Sequence, residues 1–322
     1  MRVLTHEQLA RDIEEFLKFK RALGYSYRRG EATLRSFQRF TCHDAHQARA
    51  KIDLAVALKA WLVRIADRKP VTVATDLGAI RQLCLHRRRR DPTGFVPEHA
   101  WAPQTESRYV PYIFSREEIR RLVDAAGRHR GRNIWAGMLR SLLLILYCTG
   151  LRFGEAVRLQ LSDVDLSRCV FFIRESKGRS RHVPFSSDLA REITHYLRER
   201  ARIAGFAGIK VDALFIGLDG AAMSMKAASD AVRQLLRRQG MKCPKGRTGP
   251  RPYDFRHAFA VHRLTQWYRS GVDIHARLPW LSAYMGHVNV LGTEVYLHAT
   301  PELLRLASDR FEGRLKRARA LR

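Results

Sequence analysis

His287 and Tyr296 lie nine positions apart in the stretch Leu281-Ser-Ala-Tyr-Met-Gly-His287-Val-Asn-Val-Leu-Gly-Thr-Glu-Val-Tyr296-Leu-His298. A phenol ionises only near pH 10, so attack by Tyr296 on a phosphodiester needs a proton acceptor or nearby positive charge. His287 could hydrogen-bond a non-bridging oxygen or assist that proton, and the sequence leaves both roles open. Two arginines share a context that suits the same chemistry. Arg152 follows Gly150 in Thr149-Gly-Leu-Arg152-Phe-Gly-Glu155, and Arg256 follows Asp254 in Tyr253-Asp-Phe-Arg256-His257. Each is expected in the first turn of a helix, where free amides and the helix dipole favour an anion and a guanidinium fork matches phosphate oxygens. Converging, they would clamp the two non-bridging oxygens of one phosphodiester. Lys177, at the tip of an expected two-stranded turn, could protonate the leaving oxygen. Plainer readings stand beside these: Arg152 salt-bridging Glu155, a solvated turn lysine, and an ordinary half-buried His287 and Tyr296.

The elements that must position these residues are legible as patterns. Leu281, Met285, Val288, Leu291 and Val295 recur at helical spacing, which predicts two short amphipathic helices broken at Gly286 and again at Gly292. Upstream, Ser115 and Glu118 form a capping-box pattern that opens a helix to about residue 126. A strongly apolar helix is expected over 133–148, β-rich sequence over 169–173, a turn at 175–178 and a returning edge strand over 181–185. Helices follow over 187–204 and 224–239. A basic loop rich in Pro and Gly, 242–252, leads to Asp254, which is expected to cap a helix running to Gly271. Residues 301–316 form a last amphipathic helix ending in a basic tail.

The first 90 residues read as helices only. Four apolar stripes (Leu9, Ile13, Phe16, Leu17; Leu34, Phe37, Phe40; Leu54 to Ile65; Val73 to Cys84) predict a four-helix bundle. Residues 91–113, with Pro92, Pro97, Pro103 and Pro111 and no apolar period, read as an extended linker. The expected organisation is therefore a mainly α chain. It has a helical domain at 1–90, a linker at 91–113, an α/β domain with a small antiparallel sheet at 114–300, and a terminal helix and tail at 301–322.

Lys and Arg number 59 against 31 acids, a net charge of +28 in 322 residues, which puts nucleic acid first among partners. Arg87, Arg88, Arg89 and Arg90 end the fourth helix in a run whose mutual repulsion calls for something anionic nearby. With Arg28, Arg29, Lys245 and Arg247 they are the candidate DNA contacts. No apolar run is long enough to span a bilayer, no lipidation signal is seen, and the N-terminus lacks the apolar core of a signal peptide. Five scattered cysteines without a Cys-x-x-Cys pair support neither a disulfide framework nor a zinc site and fit a reducing cytoplasm. No cofactor motif is present.

The ordered set of Thr149-Gly-Leu-Arg152-x-Gly-Glu, Lys177, Tyr253-Asp-Phe-Arg256-His257, Gly286-His287 and Tyr296 closely resembles the tyrosine recombinase (phage integrase) family. The resemblance covers roughly residues 6–310. It implies a SAM-like core-binding domain and a catalytic domain that close as a C-shaped clamp around duplex DNA. Arg152, Lys177, Arg256 and His287 would be the activating residues, and Tyr296 would form a 3′-phosphotyrosyl intermediate that a second strand's 5′-hydroxyl resolves without ATP or metal. It also implies a prokaryotic protein, at the nucleoid when bound, assembling as a homo- or hetero-tetramer through a terminal helix packed into a neighbour. One departure stands out. Where the family usually begins its second box with His, this chain has Tyr253, which can donate or accept a hydrogen bond but cannot carry positive charge near neutral pH. Similarity around residues 260–271 and 278–287 is to recombinases of transposons and integrated elements, some of which act beside sibling recombinases. Two alternatives remain open: a type IB topoisomerase-like nicking and closing enzyme, and a DNA-binding accessory subunit with a weakened site.

Overall fold

Leu9, Ile13, Phe16 and Leu17 line one face of α1 (His6–Ala22) and bury it against α2 (Arg28–Thr41), α3 (Leu54–Val63) and α4 (Pro70–Arg87). The computed structural model describes residues 3–42, 51–104, 111–131, 133–176, 179–208, 210–246, 248–297 and 300–320, and divides into two units, Met1–Arg108 and Tyr109–Arg322.

In the first unit Trp61, Phe37, Leu34 and Ile13 are fully buried, with Trp61 edge-on to Phe37 at 5.4 Å. Helices are not its only elements. β1 (Val3–Thr5) pairs antiparallel with β2 (Lys51–Asp53), bringing Leu4 opposite Ile52, and each strand ends on a residue, Thr5 or Asp53, that caps the next helix. Ile65, expected in the third stripe, is exposed because α3 stops at Val63. The expected linker is not extended throughout. Phe95, Val96, Trp101 and Ala102 pack on the first unit's core around a 3₁₀ turn at His99–Trp101, while Tyr112 and Ile113 pack on the second unit's core, of which Phe114 is part. The boundary falls within residues 105–110, outside the described residues.

The second unit is built on α6 (Ala136–Thr149), whose Met138, Leu139, Leu142, Leu143 and Ile145 are fully buried. Around it stand α5 (Arg116–Gly127), opened by the Ser115–Glu118 capping box, and α8 (Ser187–Ala207) and α9 (Met225–Arg238). Gly150 ends α6 in the left-handed conformation and leads into the short α7 (Phe153–Val157). β3 (Val164–Asp165), β4 (Val170–Ser176) and β5 (Arg179–Pro184) form an antiparallel sheet in that order, with Phe171 opposite Val183.

A second apolar cluster joins α10 (Asp254–Arg269), α11 (Ile274–Met285) and α13 (Pro301–Ala320) through Phe259, Leu264, Leu278, Leu281, Met285, Tyr296 and Leu303. The stripe expected there is only half buried. Leu281 and Met285 are inside, whereas Val288, Leu291 and Val295 are exposed, and Gly292 sits within α12 (Leu291–Glu294) rather than breaking a helix. The first turns of α13 dock on the chain's own α10: Leu303 is buried, Arg269 pairs with Glu302, and Arg310 donates to the carbonyls of Gly271 and Val272 at 2.8 and 2.5 Å. These contacts hold residues 302–310 against α10 of the same chain. No helix among the described residues is long and apolar enough to cross a membrane.

Candidate active site

Gly150 (φ +60°) turns the chain so closely over α10 that a Cβ there would lie 2.3 Å from Phe259. The turn delivers Arg152 to the start of α7. Its Nη1 donates to Glu155 Oε1 at 2.7 Å and its Nη2 to the carbonyl of Gly286 at 2.6 Å, so the local salt bridge and the long-range placement hold together. Glu155 is almost wholly buried and also accepts from Arg181 Nη2 at 2.8 Å, while Arg181 Nε donates to the carbonyl of Tyr284. Sequence reasoning points to neither Glu155's double role nor Arg181. Only Glu155's place three residues after Arg152 hints at the first.

Arg256 is 1% exposed and spans the site, Nη1 donating to the carbonyl of Gly150 and Nη2 to that of Met285, each at 2.7 Å. Burial, and then the charge of Arg152, hold its guanidinium below the usual value. Both arginines thus converge on the turns at Gly150 and Gly286. Asp254 does not cap α10 from outside as expected. It is the first helical residue, fully buried, and its carboxylate accepts from the backbone N–H of Arg251 at 2.7 Å, which closes the preceding turn. Tyr253 precedes it, partly exposed, its ring edge-on to His257 with centroids 4.9 Å apart.

Tyr296 is 3% exposed. Burial pushes its phenol up to about 12, against the opposing pull of the Arg256 and Arg152 charges. Its hydroxyl lies 3.1 Å from His257 Nδ1, a pairing that the motif spacing does not foretell although His257 stands next to Arg256. His287 follows Gly286, which ends α11 with φ +70°. Its Nδ1 is 2.6 Å from Thr293 Oγ1, and its ring stacks at 6.3 Å on that of Tyr296. Arg152, Arg256, His287 and Tyr296 are therefore brought together, with Tyr253 at the edge. Lys177, between β4 and β5, lies outside the described residues, as does Arg247.

The arginine run finds its anions within the chain. Arg87 Nε pairs with Asp12 at 2.5 Å and Arg90 with Glu15, while Arg88 donates to the carbonyl of Pro92 and Arg89 lies over the ring of Phe19. The repulsion is relieved by α1 carboxylates at two of four positions, so phosphate is not needed to explain the run. Arg88, Arg89, Arg28, Arg29 and Lys245 remain exposed.

Residues 113–302 match the model of the phage integrase family. The chain is 32% identical over 308 residues to a Sinorhizobium fredii protein, y4rB, whose name gives it as an integrase or recombinase, covering 94% of this chain and 96% of that one. It is 32% identical over 209 residues to the tyrosine recombinase XerA of Thermococcus kodakarensis, 65% of each chain. Among solved structures, the Tn1549 transposon integrase in complex with transposon right end DNA shares the fold with a TM-score of 0.68 at 16% identity, over 95% of this chain and 99% of that one. With a family model spanning more than half its length and a 32% identical relative along nearly all of it, the chain belongs to the phage integrase family, the tyrosine-type site-specific DNA recombinases.

Proposed function

We propose that this recombinase cuts and rejoins duplex DNA through a 3′-phosphotyrosyl bond to Tyr296, in the transposition or integration of a mobile element. The observation that carries the proposal is the convergence of the Tyr296 phenol with two buried or half-buried guanidinium groups, Arg152 and Arg256. In this reading the two arginines and His287 hold the non-bridging oxygens and stabilise the charge that develops on them. Lys177 protonates the departing 5′-oxygen. A second strand's 5′-hydroxyl then attacks the phosphotyrosine, and the phosphodiester is remade with no external energy source. Because Tyr296 is only 3% exposed, DNA engagement has to uncover the phenol before it reaches phosphorus.

Residues 1–90 would serve as the core-binding domain and 114–300 as the catalytic domain, with duplex DNA as partner, in keeping with the charge of +28. The Tn1549 integrase was solved on its transposon DNA, and a lambda integrase of the same fold, TM-score 0.60, was solved as a dimer on a core site. Assembly as a tetramer through α13, alone or with sibling recombinases, is part of the same proposal. A cytoplasmic location, at the nucleoid when bound, belongs to the same proposal.

Incubation with DNA carrying the element's ends, followed by denaturation, is expected to leave protein attached at a 3′ phosphate, and Tyr296→Phe to abolish the adduct while DNA binding persists. Tyr253 in place of the usual His favours one rival, an accessory subunit with a weakened site. Absence of any adduct from the wild type on its own ends would establish that rival instead, and supercoil relaxation by monomers without strand exchange would mark a nicking and closing enzyme.

A further inference from the structure

A phenol whose ionisation is held up near 12 cannot attack phosphorus unless its proton leaves as the new bond forms. The groups around Tyr296 differ sharply in their capacity to take it. Arg152 and Arg256 are permanently protonated, and Tyr253 is itself a phenol that cannot hold a proton as a cation. His287 Nδ1 is engaged by Thr293 Oγ1 at 2.6 Å, and its ring stands nearly parallel to the phenol rather than end-on. His257 is different. Its Nδ1 lies 3.1 Å from the Tyr296 hydroxyl, and its Nε2 faces the wholly buried carboxylate of Asp254 at 3.9 Å. Asp254 is fixed by the backbone N–H of Arg251, and the ring of Tyr253 covers the imidazole edge-on.

We propose that His257 is the general base that takes the proton of Tyr296 during strand cleavage and returns it during resealing, with the charge of Asp254, 3.9 Å from Nε2, favouring the imidazolium. The inference rests on the reading of Tyr296 as nucleophile. As the Oη–P bond forms and the P–O5′ bond breaks, the phenolic proton passes to Nδ1, and the 5′-oxygen leaves with a proton from the acid, Lys177. In resealing, the 5′-hydroxyl gives its proton back to that acid and attacks. The P–Oη bond breaks, and Nδ1–H restores the phenol. The tautomer protonated on Nε2 leaves Nδ1 free to accept, and the carboxylate of Asp254 stabilises the imidazolium that forms. The groups facing the ring agree with a neutral resting state. Burial holds the imidazole below its ordinary value, Arg251 and Arg256 act in the same direction, and Asp254 opposes them.

The test compares single-turnover adduct formation by the full-length protein on two DNAs, one normal and one with sulfur replacing the bridging 5′-oxygen. Sulfur leaves as a thiolate, with a thiol pKa of about 8.5, and so needs no acid. His257→Asn, which retains polarity but cannot hold a proton, is expected to slow adduct formation by about 10²–10⁴-fold on both DNAs without weakening binding. Lys177→Ala should be rescued by sulfur. The variant's rate should also rise steadily with pH where the wild type levels off above the imidazole pKa, a difference that a purely structural role would not produce. A His257→Asn rate within about threefold of wild type, or an equal slowing in Tyr253→Phe instead, overturns the inference while leaving Tyr296 in place. Should His257→Asn fail to fold, His257→Gln and the wild-type pH profile decide. A wild-type rate with no acid limb counts against His257. A wild type that forms no adduct removes Tyr296 as nucleophile, and the inference falls with it.

Discussion

Glu155 Oε2 and Arg181 Nη2 sit 2.8 Å apart, tying α7 to β5 across 26 residues of sequence, while the same carboxylate holds Arg152 through its other oxygen. One buried acid thus positions a guanidinium of the site and fastens the sheet to the helical core. Glu155→Ala would leave two arginines without their counter-ion, and breaking a buried pair from one side costs about 3–5 kcal/mol. Urea unfolding should register that destabilisation, and cleavage should fall with it because Arg152 is no longer held in orientation.

Arg152→Ala and Arg256→Ala are expected to separate chemistry from binding. Losing one preorganised donor costs roughly 2.7–4 kcal/mol of transition-state stabilisation, so cleavage should slow by about a hundredfold or more. Affinity should change far less, since most basic surface remains. Arg256→Ala should also melt earlier than Arg152→Ala, because the carbonyls of Gly150 and Met285 are each deprived of a buried donor, at about 1–3 kcal/mol apiece. Equal reductions in cleavage and affinity would speak against the clamp.

Alkaline stability should carry the signature of Tyr296. Its phenol rises from 10.0 to about 12 on folding, so the folded chain keeps a proton that the unfolded chain releases. That contribution is intact below pH 10 and is lost as pH climbs from 10 to 12, on the order of 2–3 kcal/mol in all. Tyr296→Phe should therefore flatten the decline of unfolding free energy over this window relative to wild type. An unchanged slope would mean that the phenol is not held in its neutral form.

The arginine run should split into two kinds. Arg88→Ala and Arg89→Ala should each reduce the slope of log affinity against log salt by about 0.9, the counterion release that accompanies neutralising one phosphate. Arg87→Ala should act on folding instead, since its partner Asp12 is mostly shielded from water, and the destabilisation should exceed the about 0–1 kcal/mol typical of an exposed pair. Salt titration of DNA binding alongside thermal melts distinguishes the two.

Much of the fold was legible because local chemistry and global packing agree. The Ser115–Glu118 box, the unbroken apolar run of α6 and the β4–β5 hairpin each announce themselves within a few residues. What escaped was short or distant. β1 and β2 have three residues each and β3 two, too few to show a period of two, and Asp12 lies far along the chain from the arginine it neutralises. Val288, Leu291 and Val295 misled in another way. Periodicity records which residues are apolar, not whether anything covers them, and here nothing in the described fold buries them. In the site, the order of motifs pointed to Arg152, Arg256, His287 and Tyr296. Their hydrogen-bond partners were invisible, because backbone carbonyls belong to every residue, and the approach of His257 to Tyr296 depends on α10 and the segment after α12 meeting in space.

Arg152 and Arg256 are moored to the peptide oxygens of residues 150, 285 and 286, and a peptide oxygen is encoded by every codon. Sequence drift at Met285 can alter a side chain without deleting the anchor beneath it. Fragility moves instead to the two glycines, where any methyl group would strike Phe259 or Arg181 and swing the mooring point itself. Mutational tolerance at residues 150, 285 and 286 should consequently follow backbone shape far more than side-chain chemistry, in contrast to the arginines that they hold.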